Sequence, residues 1–335
     1  MRELTYWQAL QEALREAMQR DPSVFLMGED IGEYGGAFGV TRGLLAEFGP
    51  ERVRCTPISE ATIVGAATGA ALTGMRPVVE IMFMDFLTLA MDQLANHAAK
   101  FRYMYGPQAR VPLVVRTPAG GGRCYGATHS QSLEAWFLHV PGVKVVAPAT
   151  PADAKALLSA AIRDDNPVLC VEHKLLYAAT GPVPDDADAA VIGRAAVRRT
   201  GRDVTLVAYS YYVGVALEAA AQLADAGIDA EVVDLRTLVP MDTEAILASV
   251  RKTGRLVCIE EGTRTGGVGA EIAARVAESA YEYLDAPIRR VAAADVPIPF
   301  SPALEPEALP QKAHIVRTVR HMFASTSSPS LGEEA

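Results

Sequence analysis

Residues 56–86 read TPISEATIVGAATGAALTGMRPVVEIMFMDF. Thr56-Pro57 marks a turn, and Ser59 is placed to cap a helix running to about Thr73. Glu60 then falls in the first helical turn, where the dipole favours a negative charge. By itself that makes Glu60 a complement to the dipole and nothing more. The residues after it add to the reading. Gly65 and Gly69 stand about one turn apart, and Ala66 and Ala70 repeat the spacing. A glycine inside a helix costs about 1 kcal/mol relative to alanine. Two of them imply a close backbone neighbour, either an internal helix or a second subunit. Val78 to Ile81 reads as a buried strand, and Met82, Phe83, Met84 and Phe86 follow it as a wall of sulfur and aromatic rings. A carboxylate beside such a wall needs a polar partner. A heteroaromatic ring nitrogen would serve, with Phe86 against the ring. On burial grounds the same side chains also read as ordinary core.

The 335 residues predict two domains, and a chain that is 50% hydrophobic supplies both cores. A net charge of −9 argues against nucleic acid or an anionic membrane as the main partner. The four cysteines, Cys55, Cys124, Cys170 and Cys258, form no CxxC pair and read as reduced thiols. No secretory signal and no membrane-spanning stretch is evident, so a cytoplasmic location is expected.

The rest of the chain alternates strand and helix signals. Thr5 to Gln8 is a capping-box pattern ahead of a helical stripe through Leu10, Leu14 and Met18. Val24 to Met27 reads as a parallel strand, and Glu29 and Asp30 follow its carboxyl end, where ligands of such sheets gather. They also read as solvated loop acids. Leu87 to Tyr105 reads as one long helix, and Arg116 to Gly126 as a glycine-rich loop leading to His129. A histidine just after a loop and before a helix suits a side chain reaching into a site. Further strands are expected at 111–115, 143–147, 168–171, 204–208, 230–233, 256–259 and 288–291. Helices are expected at 213–226, 242–252 and 268–280. Residues 178–190, rich in Pro, Asp and Ala, read as interdomain linker, and 326–335 as a polar tail. The fold class is therefore α/β with two parallel-sheet domains.

TPISE with its small-residue helix, then EIMFMDF, resembles the beta subunit of the thiamine-diphosphate-dependent first component of 2-oxoacid dehydrogenase complexes. Pyruvate, branched-chain 2-oxoacid and acetoin dehydrogenases share that subunit type. The resemblance runs from about Leu4 to His321. It implies a transketolase-like pyrimidine-binding domain over 1–177, a linker over 178–200, a transketolase C-terminal-like domain over 201–323 and a tail over 324–335. It assigns Glu60 to the aminopyrimidine ring nitrogen, where it drives the imino tautomer that deprotonates the thiazolium carbon. Ring packing falls to Phe86, with Met82 and Glu29 as further cofactor-side candidates. His129, in His-Ser-Gln, is assigned to proton or acyl transfer. Thr128 and Cys55 depart from residues common in the family, Gln and Asp, which bears on pocket shape. A structural potassium ion is implied on Leu113, Ala161, Ile162, Asp164 and Asn166, largely through backbone oxygens. The chain lacks the family's GDG motif for the diphosphate and its magnesium. That half-site is therefore expected on an alpha subunit in an α2β2 heterotetramer, with acyl transfer to a lipoyl-bearing second component. The substrate is expected to be pyruvate, with acetoin or a branched-chain 2-oxoacid as alternatives. A scaffold subunit without catalytic residues is the reading from another class, and loss of Glu60 or His129 would leave it unaffected.

Overall fold

The computed structural model describes residues 1–184 and 190–324. The first sheet has seven strands, in the order Thr237–Val239, Lys144–Val146, Val168–His173, Val114–Ala119, Arg76–Glu80, Val24–Gly28 and Val53–Cys55. Only the first of these pairs is antiparallel. Strand alternation explains why both faces are covered. Leu26, Val78, Val114, Val168 and Cys170 join one core with Leu10, Leu14, Leu157 and Leu158 of helices Tyr6–Arg20 and Pro151–Arg163. Met27, Val79, Val115, Leu169 and Val171 face the other way, into a core that includes Ile63 and Val64 of helix Glu60–Leu72. That second core continues through Val207, Val233 and Ile246 of the C-terminal half, so apolar burial welds the two halves together.

The second sheet has five strands, in the order Arg289–Ala293, Leu256–Thr263, Val204–Ala208, Ala230–Asp234 and Ala196–Arg199. Its pairings are parallel except for the last. Helices Tyr212–Ala224, Thr243–Thr253, Val268–Ala280 and Lys312–Ala324 belong to this half, with the short helices Tyr281–Tyr283 and Glu305–Ala308.

Thr5 makes the expected capping box: its side chain accepts from the Gln8 backbone, and its own N–H donates to Gln8 Oε1 at 2.9 Å. Ser59 does not cap as expected. Its hydroxyl donates to Thr62 Oγ1 at 2.7 Å, and no side-chain bond closes the helix start. The stretch expected as one helix over 87–105 is broken. A short α-turn Met84–Leu87 leads through a tight turn to a wide π-helical stretch Gln93–Ala98, then helix Ala99–Tyr105. Gly65 lies against that stretch, since a Cβ there would stand 3.3 Å from Gln93 Cγ. Gly69 has no such neighbour, and with Thr62 and Ala66 it leaves an exposed stripe of small residues on the helix.

Residues 178–200 hold more structure than a spacer. Thr180–Val183 pairs antiparallel with Arg2–Thr5, and Ala196–Arg199 forms an edge of the second sheet. The strand Thr237–Val239, from the C-terminal half, completes the first sheet. Part of the expected linker, 185–189, and the expected tail beyond Ala324 lie outside the described residues.

Candidate active site

Register gathers the site. Gly28 pairs with both Cys55 and Glu80, Glu80 pairs with Arg116, and Ala119 pairs with His173. The residues just beyond these positions therefore leave the same carboxyl edge of the sheet: Glu29, the turn leading to Glu60, Met82 to Phe86, the loop to His129, and Lys174. Ligands of parallel sheets bind at such an edge.

Glu29 and Glu60 come together there, each 6% exposed. Burial, then the neighbouring Glu60 and Asp30 charges, raise the Glu29 carboxyl above the ordinary range. Its Oε1 is buried without a hydrogen-bond partner. Asp30, by contrast, is exposed. The solvated-acid reading thus holds for Asp30 and fails for Glu29, because the strand end carries Glu29 under the Glu60 helix start.

Phe86 and His129 form the second cluster. Their ring centroids lie 5.2 Å apart at 80°, and Phe83 lies 5.5 Å from the same imidazole at 71°. Thr128 Oγ1 is 3.0 Å from His129 Nδ1, so the departure at 128 bonds directly to the candidate catalytic ring. Met82 and Phe86 are half-buried, while Met84 is fully buried core. Asp85 Oδ1 accepts from Gln131 Nε2 at 2.8 Å, whereas Asp85 Oδ2 and Ser130 Oγ are buried without partners. A cleft of 990 Å³, lined in part by Met27, Asp30, Tyr34, Cys55 and Thr56, opens beside this edge.

Beneath the edge lies a buried charge network that sequence reading missed. Arg116 donates to Glu172 Oε1 and Oε2, both at 2.7 Å, and to Glu80 Oε2 at 2.7 Å. Tyr177 donates to Glu172 Oε2 at 2.7 Å. Burial, against the pull of Arg116, raises the Glu80 carboxyl. The expected loop start at Arg116 is corrected here, since Arg116 falls inside the strand Val114–Ala119. The C-terminal half ties down the loop that follows. Glu261 accepts from Gly121 N at 2.5 Å and pairs with His173, and Glu305 accepts from Gly122 N and Cys124 N, each at 3.0 Å.

The turn expected to hold potassium attracts positive charge. The carbonyls of Ile162 and Asp164 accept from one guanidinium nitrogen of Arg76, at 3.0 and 3.1 Å. Leu113 O accepts from Val168 N at 2.9 Å, Ala161 O from Asp164 N at 3.2 Å, and Asn166 Oδ1 from Arg102 at 2.8 Å. Arg76 thus supplies part of the charge at this turn, and the second lone pairs of the carbonyls remain.

Residues 2–180 match the family model described as "Transketolase, pyrimidine binding domain", and 193–315 match "Transketolase, C-terminal domain". The "Pyruvate dehydrogenase E1 component subunit beta-2, mitochondrial" of Oryza sativa is 50% identical over 323 residues, covering 95% of this chain and 86% of the relative. The chain belongs to the E1 beta-subunit family, with the transketolase pyrimidine-binding and C-terminal domains. Within that family the "Acetoin:2,6-dichlorophenolindophenol oxidoreductase subunit beta" of Cupriavidus necator is 48% identical over 329 residues, covering 95% of this chain and 97% of the relative. A solved structure described as "Split gene transketolase, inactive beta4 tetramer" superposes with a TM-score of 0.78 at 26% identity, covering 96% of this chain and 98% of that one. The family accounts for the two parallel-sheet halves. Among the described residues no helix is long and apolar enough to cross a membrane. The four cysteines are free.

Proposed function

We propose that this chain is the beta subunit of a pyruvate dehydrogenase first component, working with an alpha subunit in an α2β2 assembly. The observation that carries the reading is the buried Glu29–Glu60 pair at the sheet's carboxyl edge, with Glu29 Oε1 left without a partner. A partnerless buried carboxylate oxygen fits a bound polar group. Glu60, Glu29, Met82 and Phe86 would hold the pyrimidine end of thiamine diphosphate, which supplies a nucleophilic carbon and an electron sink. The diphosphate and its magnesium would rest on the alpha subunit, since this chain lacks the motif that binds them.

Each residue then has a task. Glu60 holds a proton for a ring nitrogen. Glu29, raised by burial and then by the Glu60 and Asp30 charges, itself keeps a proton to higher pH than a lone glutamate would. Phe83 and Phe86 wall off water beside His129. His129 moves a proton at the substrate oxygen, a role that typically contributes about 10²–10⁴-fold in rate. The acyl group passes to a lipoyl carrier on the second component. The exposed stripe of Thr62, Ala66 and Gly69 and the 80% exposed Ile58 beside Glu60 suit cover by the partner. Potassium is part of the proposal, on the carbonyls of Leu113, Ala161, Ile162 and Asp164 and on Asn166. So are the pyrimidine-binding and C-terminal domain spans given above. So is a cytoplasmic location, which unpaired cysteines favour.

Acetoin is the second reading, favoured by the near-equal identity to the acetoin relative. Co-expression with an alpha subunit, then assay of pyruvate, acetoin and branched-chain 2-oxoacids with an artificial electron acceptor, tests both. Pyruvate is expected to give the highest kcat/KM, with no turnover by the isolated chain and a higher rate in potassium than in sodium. Preference for acetoin would favour the second reading. No turnover of any substrate by the assembled protein would contradict the proposal, and equal rates in the two salts would remove the ion.

A further inference from the structure

The run Glu172-His173-Lys174 ends the strand Val168–His173, and each side chain ties down something different. Glu172 anchors Arg116, and His173 reaches Glu261 of the C-terminal half. Lys174 has no task in the reaction as described, yet its side chain is 0% exposed. Among the described residues no carboxylate lies within ion-pair distance of its ammonium. A buried charge without a close counter-ion costs several kcal/mol, so its surroundings must hold it by other means. They do so with two backbone carbonyls. Lys174 Nζ donates to Gly120 O at 2.8 Å and to His129 O at 2.5 Å. Its backbone N–H also donates to Ala119 O at 3.1 Å. The ammonium lies 4.7 Å from the centroid of Phe83, a cation–π distance, and Phe83 in turn abuts the His129 ring.

Lys174 thus bridges the two ends of the loop 120–129 and touches the aromatic wall of the histidine. We propose that Lys174 is a positioning residue for His129, fixing its backbone carbonyl and, through Phe83, the seat of its imidazole. The inference rests on the role given to His129 above. Burial lowers the Lys174 ammonium to about 8, with the Asp85, Glu261 and Glu305 charges opposing and Arg123 assisting. Even so, it stays largely protonated at neutral pH, with three donors for two carbonyls. Nothing in a plain apolar core asks for a lysine here; a loop that must present one histidine in one orientation does.

The test is a double-mutant cycle on the assembled enzyme. Lys174→Met is expected to lower kcat at least about 10-fold, since small misplacements of a catalytic group cost up to about 10²-fold. In a His129→Ala background the same change is expected to cost less than about twofold, because the group being positioned is gone. Lys174→Gln, which keeps a polar donor, is expected to fall between, and it carries the cycle if the Met variant does not assemble. An equal loss in both backgrounds, or no loss in either, would overturn the inference while leaving the role of His129 intact. A His129→Ala enzyme at the wild-type rate would sink the His129 assignment and this inference with it.

Discussion

Glu60→Gln lowers turnover of the assembled enzyme at least about 10²-fold, the low end of what a positioned acid or base contributes. The substitution keeps the volume of the side chain and its place at the start of helix Glu60–Leu72. It removes the exchangeable acid. It also removes the charge that helps to raise Glu29. Relief of that like-charge contact means the melting temperature should stay level or rise, so the lost rate is not lost fold. Both readouts are needed. Near-normal turnover with a lowered melt would show that the carboxyl is a complement to the helix dipole, the plainer reading of the sequence.

Arg116→Met is expected to destabilise the chain by about 3–5 kcal/mol, the usual cost of removing one partner from a buried ion network. Arg116 is 2% exposed and is the cation bonded to both Glu80 and Glu172, which are 6% and 0% exposed. Methionine fills much of the space and leaves two buried carboxyls without their counter-charge. They would have to take up protons, and Glu80 is already raised with Arg116 present. A thermal melt of the assembled protein should therefore fall by several degrees. Adding Glu80→Gln and Glu172→Gln should recover part of the loss, because neutral amides need no counter-ion. A single Arg116→Met variant melting with the wild type would show that the network contributes specificity and little stability.

What the sequence revealed, and what it hid, follows from the range of the interactions. Val204–Ala208 and Val268–Ala280 match their expected bounds, because a bounded apolar run and a helical stripe are local signals. The strand Thr237–Val239 was not legible: three residues carry no period, and their partner strand Lys144–Val146 lies in the other half of the chain. The helix over 87–105 was over-read, since an apolar stripe does not distinguish an α-helix from the wider turns at Gln93–Ala98. In the site, Glu60 and His129 stood out by their local setting. Arg116, Lys174, Glu261 and Glu305 did not, because each acts on residues distant in sequence. Glu29 had only its place after a strand to recommend it, and its burial became visible once Gly28 was seen paired with both neighbours.

The division of the coenzyme site between two polypeptides is most directly tested by calorimetry. Thiamine diphosphate with magnesium is titrated into the isolated chain and, separately, into the same chain assembled with its alpha subunit. Saturable binding is expected in the assembly, with no measurable heat from the isolated chain over the same concentrations. Equal affinity in the absence of the partner would mean that this polypeptide grips the diphosphate on its own, and the account would fail.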